Sequence, residues 1–472
     1  MYMKKIEENF CGYIRVEDDT YTYNVSDNIV TLFPAQSDVQ KRYDSLYHIE
    51  SQNTKTSEYL LGEDGNTMIA ILRKGKFFTN PIGTGVAIRF ATPIIIKASG
   101  NAQEFFNMLT EDWCKFHAIT FCGGNINALY TPDIAIEQPN ISELLKYNGA
   151  RTIKMRPWSD YTRTTEFQID NEKVALTVSV GQTAETNNTE NRGAYDLGKM
   201  YTFFQFSFEN AQEFEKIEKY YIIAKKIVAI LTFQNNVCFE EVYLSQRNSE
   251  QKYFKTGTCK IFDPYENYSI RQWHKVIPIF SVFDCIPNLV NGIINGKADS
   301  LLELLPEDNK MVNRISINNV QDLCTALEVS YHLDDKRKRE KDVLIEELKK
   351  NIKNTIAEFA KKHEEIDVNK ETTMSSAFRY LDYTLKQKIL TLYNENSDVV
   401  NAIVSKYSLP SINENSIASF VKLRNNKTHS GIVEWKESAD IYVPLLAIVY
   451  ASFLKYIELP NEVIKSTLLQ IF

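Results

Sequence analysis

Val320-Gln321-Asp322-Leu323-Cys324-Thr325-Ala326-Leu327-Glu328-Val329-Ser330-Tyr331-His332 reads as one amphipathic helix, and it decides the architecture of its half of the chain. Val320, Leu323, Ala326, Leu327 and Tyr331 recur at the helical period and mark a single apolar face. Asn318 or Asn319 stands where a capping side chain belongs. Downstream, the charged stretch 334–365 carries a narrow stripe of Leu344, Ile345, Leu348, Ile352, Ile356 and Phe359. Such a stripe packs on its own domain or on a second copy. Further helices are expected at Ser375–Tyr393, Asp398–Tyr407, Ser416–Thr428, Ser438–Tyr456 and Asn461–Ile471, with Pro410, Gly431 and Pro460 as breakers.

Upstream the texture is different. Tyr21–Val25, Thr67–Leu72, Val86–Phe90, Ile94–Lys97, Ala175–Val180 and Tyr201–Phe208 are rich in β-branched and aromatic residues, with turn chemistry such as Glu63-Asp64-Gly65-Asn66 between them. Two helices interrupt this region, about Ala102–Leu109 and Ala211–Leu231, and the polar stretch Gly181–Gly198 reads as a surface or contact loop. Segment 279–305 is transitional. The expected fold class is therefore α+β: a β-rich antiparallel sandwich or barrel with inserted helices over 1–295, then an all-α bundle over 296–472.

Composition places the chain among globular proteins: 472 residues, 43% hydrophobic, 24% charged, net charge -7. From Lys297 to the end there are 24 Lys+Arg against 26 Asp+Glu, which excludes a protein that coats nucleic acid by bulk charge but not one that grips a few phosphates. A DNA-binding regulator is disfavoured because no helix-turn-helix signature or basic face is present. Seven scattered cysteines without a CxxC pair read as reduced thiols in the cytoplasm. The N-terminus lacks an apolar leader, and the apolar stretches Tyr220–Phe233 and Tyr442–Tyr456 read as core helices, so no membrane partner is expected. Cys114, His117 and Cys122 lack a fourth zinc ligand, Gly83-Thr84-Gly85 lacks a Walker lysine, and neither metal nor cofactor is indicated.

The chemistry-bearing motif lies in Leu423-Arg424-Asn425-Asn426-Lys427-Thr428-His429-Ser430-Gly431. An RNA 2′-hydroxyl attacks its own 3′ phosphate when a base takes its proton, a cation holds the crowded phosphate and an acid protonates the leaving 5′ oxygen. Histidine titrates near neutrality and serves as base or acid, and the arginine fork matches phosphate oxygens. Asn425 is placed to orient either. A similar spacing, Arg42-x5-His48, lies among polar residues in the β-rich half. Two readings of Arg424 and His429 are open: a catalytic pair, or two cations at a helix C-terminus facing the negative end of its dipole. Glu328 and His332, one helical turn apart, line a substrate cleft or form an ordinary surface pair. Lys422 and Lys427 hold RNA phosphates or are solvated. The run Lys336–Lys341 is a salt-bridged face or an RNA contact, and Trp435 packs or stacks on a base.

The Leu-Arg-Asn-x-x-x-His motif in a late helix resembles the signature of the HEPN superfamily. The helix Asp322–His332 resembles the first helix of ApeA-like HEPN proteins, and Phe10-Cys11-Gly12-Tyr13 with Leu60-Leu61-Gly62-Glu63-Asp64-Gly65 resembles the ApeA N-terminal domain. The resemblance implies an anti-phage abortive-infection endoribonuclease cutting RNA, tRNA among the candidates, without metal and leaving a 2′,3′-cyclic phosphate. It also implies a homodimer or larger homo-oligomer through the helical domain, with the N-terminal domain answering a phage-derived trigger. One histidine cannot easily act as base and acid at opposite oxygens, so two copies of His429 across a two-fold axis would divide the work. The rival expectation is a non-catalytic, dimerising interaction or sensor protein in which Arg424 and His429 are replaceable.

Overall fold

The computed structural model describes residues 10–16, 19–35, 57–65, 67–82, 85–99, 112–137, 155–182, 200–263, 270–307, 315–334, 343–363, 369–378, 383–430 and 440–472, with the side chains at 16, 57, 58, 64, 79–82, 85, 86, 343, 370, 371, 375, 377 and 426–430 outside that description. It is a mixed α+β chain in two units, Met1–Val228 with Asn236–Trp273, and Ala229–Asn235 with His274–Phe472. The division falls at Trp273/His274 rather than at 295/296. The stretch read as transitional belongs with the helices, since Asn288 Nδ2 donates to the Ile457 carbonyl at 3.3 Å and Gly292 lies against the rings of Phe453 and Tyr456.

In the first unit the period-2 patterns become strands β1 (Cys11–Val16), β2 (Asp19–Ser26), β3 (Ile29–Pro34), β4 (Ser57–Asp64), β5 (Thr67–Ile82), β6 (Gly85–Ala91), β7 (Ile94–Ala98), β8 (Lys115–Cys122), β9 (Arg163–Ile169), β10 (Glu172–Gln182), β11 (Met200–Glu213), β12 (Glu241–Arg247) and β13 (Tyr253–Ile261). Every pairing is antiparallel. The order β4-β1-β2-β3-β6-β5 closes on itself because β4 also pairs with β5, giving a six-stranded barrel. Strand β5 is long enough to leave it: Ile69–Ile71 also pair with β7, which starts the extension β7-β13-β12-β8-β11-β10-β9.

Tyr21, Tyr23 and Val25, Val30 and Leu32, Ile69 and Ile71, and Ile88 and Phe90 alternate inward from their strands and fill the barrel with a packed core. The seam that closes it pairs Tyr13 with Glu63 and Ile14 with Gly62. A Cβ on Gly12 would overlap the Glu63 carbonyl oxygen, and one on Gly62 would overlap that of Tyr13, so glycine at both positions lets the two backbones meet.

Helix α1 (Ile217–Thr232) brings Tyr220 and Tyr221 against the sheet aromatics Phe208 and Phe121, with ring centroids 4.6 and 6.4 Å apart. It starts later than Ala211 because β11 continues to Glu213. Gln212 pairs across a bulge with Phe116, and its Oε1 accepts from Tyr220 (3.1 Å) and Lys216 (2.7 Å). The helix expected at Ala102–Leu109 and most of Gly181–Gly198 lie outside the described residues.

The second unit contains α2 (Ile286–Ile294), α3 (Asp299–Glu303), α4 (Ile317–Tyr331), α5 (Val343–Lys362), α6 (Lys370–Phe378), α7 (Leu385–Tyr407), α8 (Glu414–Ser430), α9 (Tyr442–Tyr456) and α10 (Asn461–Ile471). Helix α9 is buried nearly all round and forms the centre, with α4, α7 and α10 against it and α8 against α4 and α7. The cap of α4 is Ser316, not Asn318 or Asn319 acting alone. The Ser316 hydroxyl accepts the Asn319 N–H at 3.3 Å while Asn319 Oδ1 accepts the Ser316 N–H at 2.7 Å.

Helix α7 runs unbroken where two helices were expected. The polar run after Leu392 stays helical because Asn396, inward-facing, donates to the Leu392 carbonyl one turn back at 2.8 Å. Phe233, at φ 53, ends α1 in a left-handed turn and sets its ring 5.4 Å from Tyr450, whose hydroxyl donates to the Ile230 carbonyl. Among the described residues, Trp273–Ile294 is long and apolar enough to cross a membrane, and half of it is buried.

Candidate functional site

Helix α4 has three faces with different fates. Val320, Leu323, Cys324, Ala326, Leu327 and Tyr331 are buried, Asp322 is exposed, and between these faces Thr325, Glu328 and Val329 lead to His332 just past the C-terminus. That third face lines a solvent-open pocket of about 480 Å³, completed by Leu333, Lys297 and Lys388. Glu328 and His332, named from their spacing, are thus brought together.

The two lysines arrive by local structure that sequence spacing does not reveal. Gly296 adopts φ 68 at the end of α2, and the Lys297 N–H donates to the Gly292 carbonyl at 2.8 Å, so the turn itself presents Lys297. A capping box between Thr384 and Gln387 fixes the start of α7, and Lys388 follows in its first turn. Its ammonium lies 5.9 Å from the ring centroid of Tyr331, which meets the His332 ring edge-on at 5.3 Å. Two ammonium groups, an imidazole and one carboxylate around open space suit an anionic, hydrogen-bonding ligand such as a phosphodiester.

Arg424 is half-buried on α8, and its Nη1 donates to Asn425 Oδ1 at 3.2 Å. Phe420 and Leu423 are buried and anchor that helix to the core. Burial pushes the Cys324 thiol up to about 12. The positive charge of Arg424, on a helix packed against α4, opposes that rise, and Glu328 adds to it. Arg424 is not among the residues lining the pocket.

Helix α8 extends to Ser430, beyond the expected end at Thr428. Positions 424 and 429 therefore share one helix, about 140° apart around its axis. Position 425 lies one turn from 429 on the same face, which makes Asn425 the residue adjacent to both members of the motif. Arg424 stands more than a turn before the helix end, where the dipole's effect has faded. Asn425 and Lys422 are exposed. The side chains of Lys427 and His429, the run Lys336–Lys341 and Trp435 lie outside the described residues.

The first unit gathers no comparable constellation among its described residues. Burial raises the thiols of Cys114 and Cys122 to about 12 each, while His117 Nδ1 accepts the Arg247 N–H at 3.3 Å. Trp113 is a core residue donating to the Thr256 carbonyl, whereas Trp158 and Trp273 are exposed. No group of three or more His, Cys, Asp or Glu side chains among the described residues is arranged to hold a metal ion. In comparison with known proteins, the chain matches no family model, no curated protein and no solved structure.

Proposed function

We propose that the helical unit is a metal-independent endoribonuclease of the HEPN type, with Arg424 and His429 as its catalytic pair and Asn425 orienting them. What supports the reading is the position of Arg424: half-buried on a helix packed against α4 and α7, and bonded to Asn425. A cation fixed this way serves a phosphate better than a free surface arginine, because less freedom is lost on binding.

In the proposed step, the RNA 2′-oxygen bonds to its 3′ phosphorus as the bond from phosphorus to the 5′-oxygen breaks. One His429 takes the 2′ proton, a second His429 across a dimer gives a proton to the 5′-oxygen, and Arg424 balances the charge on the non-bridging oxygens. The products are a 2′,3′-cyclic phosphate and a 5′-hydroxyl. Lys297, Lys388 and His332 take neighbouring phosphates of the strand. The biological setting that fits is abortive infection against phage, with the barrel unit restraining the nuclease until a phage-derived trigger arrives.

The test maps RNA ends in cells overproducing the wild type or His429→Ala. Cyclic-phosphate ends with the wild type alone are expected. Identical RNA in both, with both proteins folded and abundant, overturns the reading. A second reading, a non-catalytic dimerising interaction protein, is favoured by the unburied apolar stripe on α5.

A further inference from the structure

The pocket on the third face of α4 carries more than phosphate binding needs. Lys297, Glu328, Val329, His332, Leu333 and Lys388 are each half-buried around it, so their stems are held while their ends reach open space. Among the described residues, Glu328 makes no ion pair with Lys297 or Lys388, although all three line the same pocket. The carboxylate therefore keeps both oxygens as acceptors, and the two ammonium groups keep their donors. A carboxylate beside the lysines repels a bare phosphate and weakens its binding. The whole set is satisfied by a ligand with an anion at one end and N–H donors at the other. Val329 and Leu333, four residues apart at the end of α4, add an apolar wall that a flat ring can cover.

We propose that this pocket selects a guanine nucleotide of single-stranded RNA, with Glu328 reading the base and Lys297 and Lys388 holding its phosphate. Carboxylate chemistry selects the base. Guanine presents its ring N1–H and its exocyclic amino group side by side, two donors spaced for two carboxylate oxygens. Adenine and cytosine present one amino donor next to a ring acceptor, and uracil presents one N–H between two carbonyl oxygens. Each of these three sets a lone pair against Glu328, which a site built for two donors rejects. The guanine ring lies on Val329 and Leu333. RNA as the source of the nucleotide rests on the nuclease reading, whereas guanine selection involves neither Arg424 nor His429, so the two fail separately.

The experiment titrates the full-length chain with GMP, AMP, CMP, UMP and inorganic phosphate by calorimetry at one salt concentration. GMP is expected to bind about tenfold tighter than the other three mononucleotides, the effect of one added hydrogen bond to a charged acceptor. Inosine monophosphate, which lacks only the exocyclic amino group, should fall between them. Glu328→Gln should bring GMP to the level of AMP while tightening inorganic phosphate, because glutamine offers a single acceptor oxygen and no charge. A misfolded variant would lose both ligands, so the opposite changes report the role of Glu328 and not the fold. Equal affinities for the four mononucleotides, no binding of GMP at millimolar concentration, or a Glu328→Gln chain that loses GMP and phosphate together overturns the proposal. Cyclic-phosphate ends in cells without guanine-selective binding would keep the nuclease and remove the guanine site. Guanine-selective binding without new RNA ends would do the reverse.

Discussion

The barrel unit and the helical unit solve the same problem, covering an apolar core, and only one of them leaves side chains over for chemistry. A strand has two faces, so each residue on the barrel points in or out, and the inward set is spent on packing: Tyr21, Tyr23, Val25, Val30 and Leu32. Thiols and phenols trapped in this unit are held neutral. Cys114, Cys122 and Cys259 keep their protons because burial raises them, and buried Tyr221, likewise raised, donates to Asp263 at 2.8 Å. A helix has room for a third face. On α4 that face carries Thr325, Glu328 and His332 to the pocket while the core face stays apolar. The site proposal falls on the helical unit because its charges face open water at a fixed place.

The strongest way to break this comparison is at the barrel seam. Gly12→Val should destabilise the first unit by about 3 kcal/mol, because the new Cβ meets backbone that cannot move without opening the β1–β4 pairing. Thermal unfolding followed by circular dichroism should show the strand-rich transition falling by about 6–12 °C while the helical one stays in place. Both transitions falling together would mean that the two units unfold as one body, and the contrast drawn between them would fail. Gly12 and Gly62 lie in the two segments whose resemblance to a known N-terminal domain was read from sequence. Their pairing was not legible there, since closure joins strands far apart in the chain, and nothing local in Phe10–Tyr13 names β4 as its neighbour.

In the helical unit the elements were legible and their joints were not. Asn461–Ile471 and the apolar face of α4 follow the sequence pattern. The continuity of α7 does not, because its polar run imitates a loop until Asn396 is seen turned inward and donating to the Leu392 carbonyl within the helix. The same holds for the pocket. Glu328 and His332 announce themselves by spacing, whereas Lys297 and Lys388 come from a glycine turn and a capped helix start far along the chain. If those lysines hold phosphates, Lys297→Ala and Lys388→Ala should each weaken binding of a short single-stranded RNA severalfold, roughly 1 kcal/mol. Each should also flatten the salt dependence of log K by about 0.7. Lys173→Ala on the barrel unit, which removes an exposed pair with Glu166 at 2.8 Å, should change neither quantity. Equal losses from all three variants would reduce the pocket to general surface charge.

The smallest effect tests whether charge matters when it binds two helices rather than a ligand. Lys386 near the start of α7 donates to Glu414 at the start of α8 at 2.6 Å, with Lys386 half-buried and Glu414 largely solvated. That hydrogen bond, and then the charge behind it, holds the Glu414 carboxyl below its usual value of 4.5. A carboxyl depressed in the folded state contributes stability above its unfolded pKa and loses it as pH falls through the folded one. Urea midpoints of the wild type and Lys386→Met should therefore differ slightly near pH 7 and converge as pH falls through the folded-state titration of Glu414. A difference that survives at low pH would belong to the aliphatic stem of Lys386 packed between the helices. The start of α8, and with it the placing of Arg424, would then depend on packing in the same way as the barrel.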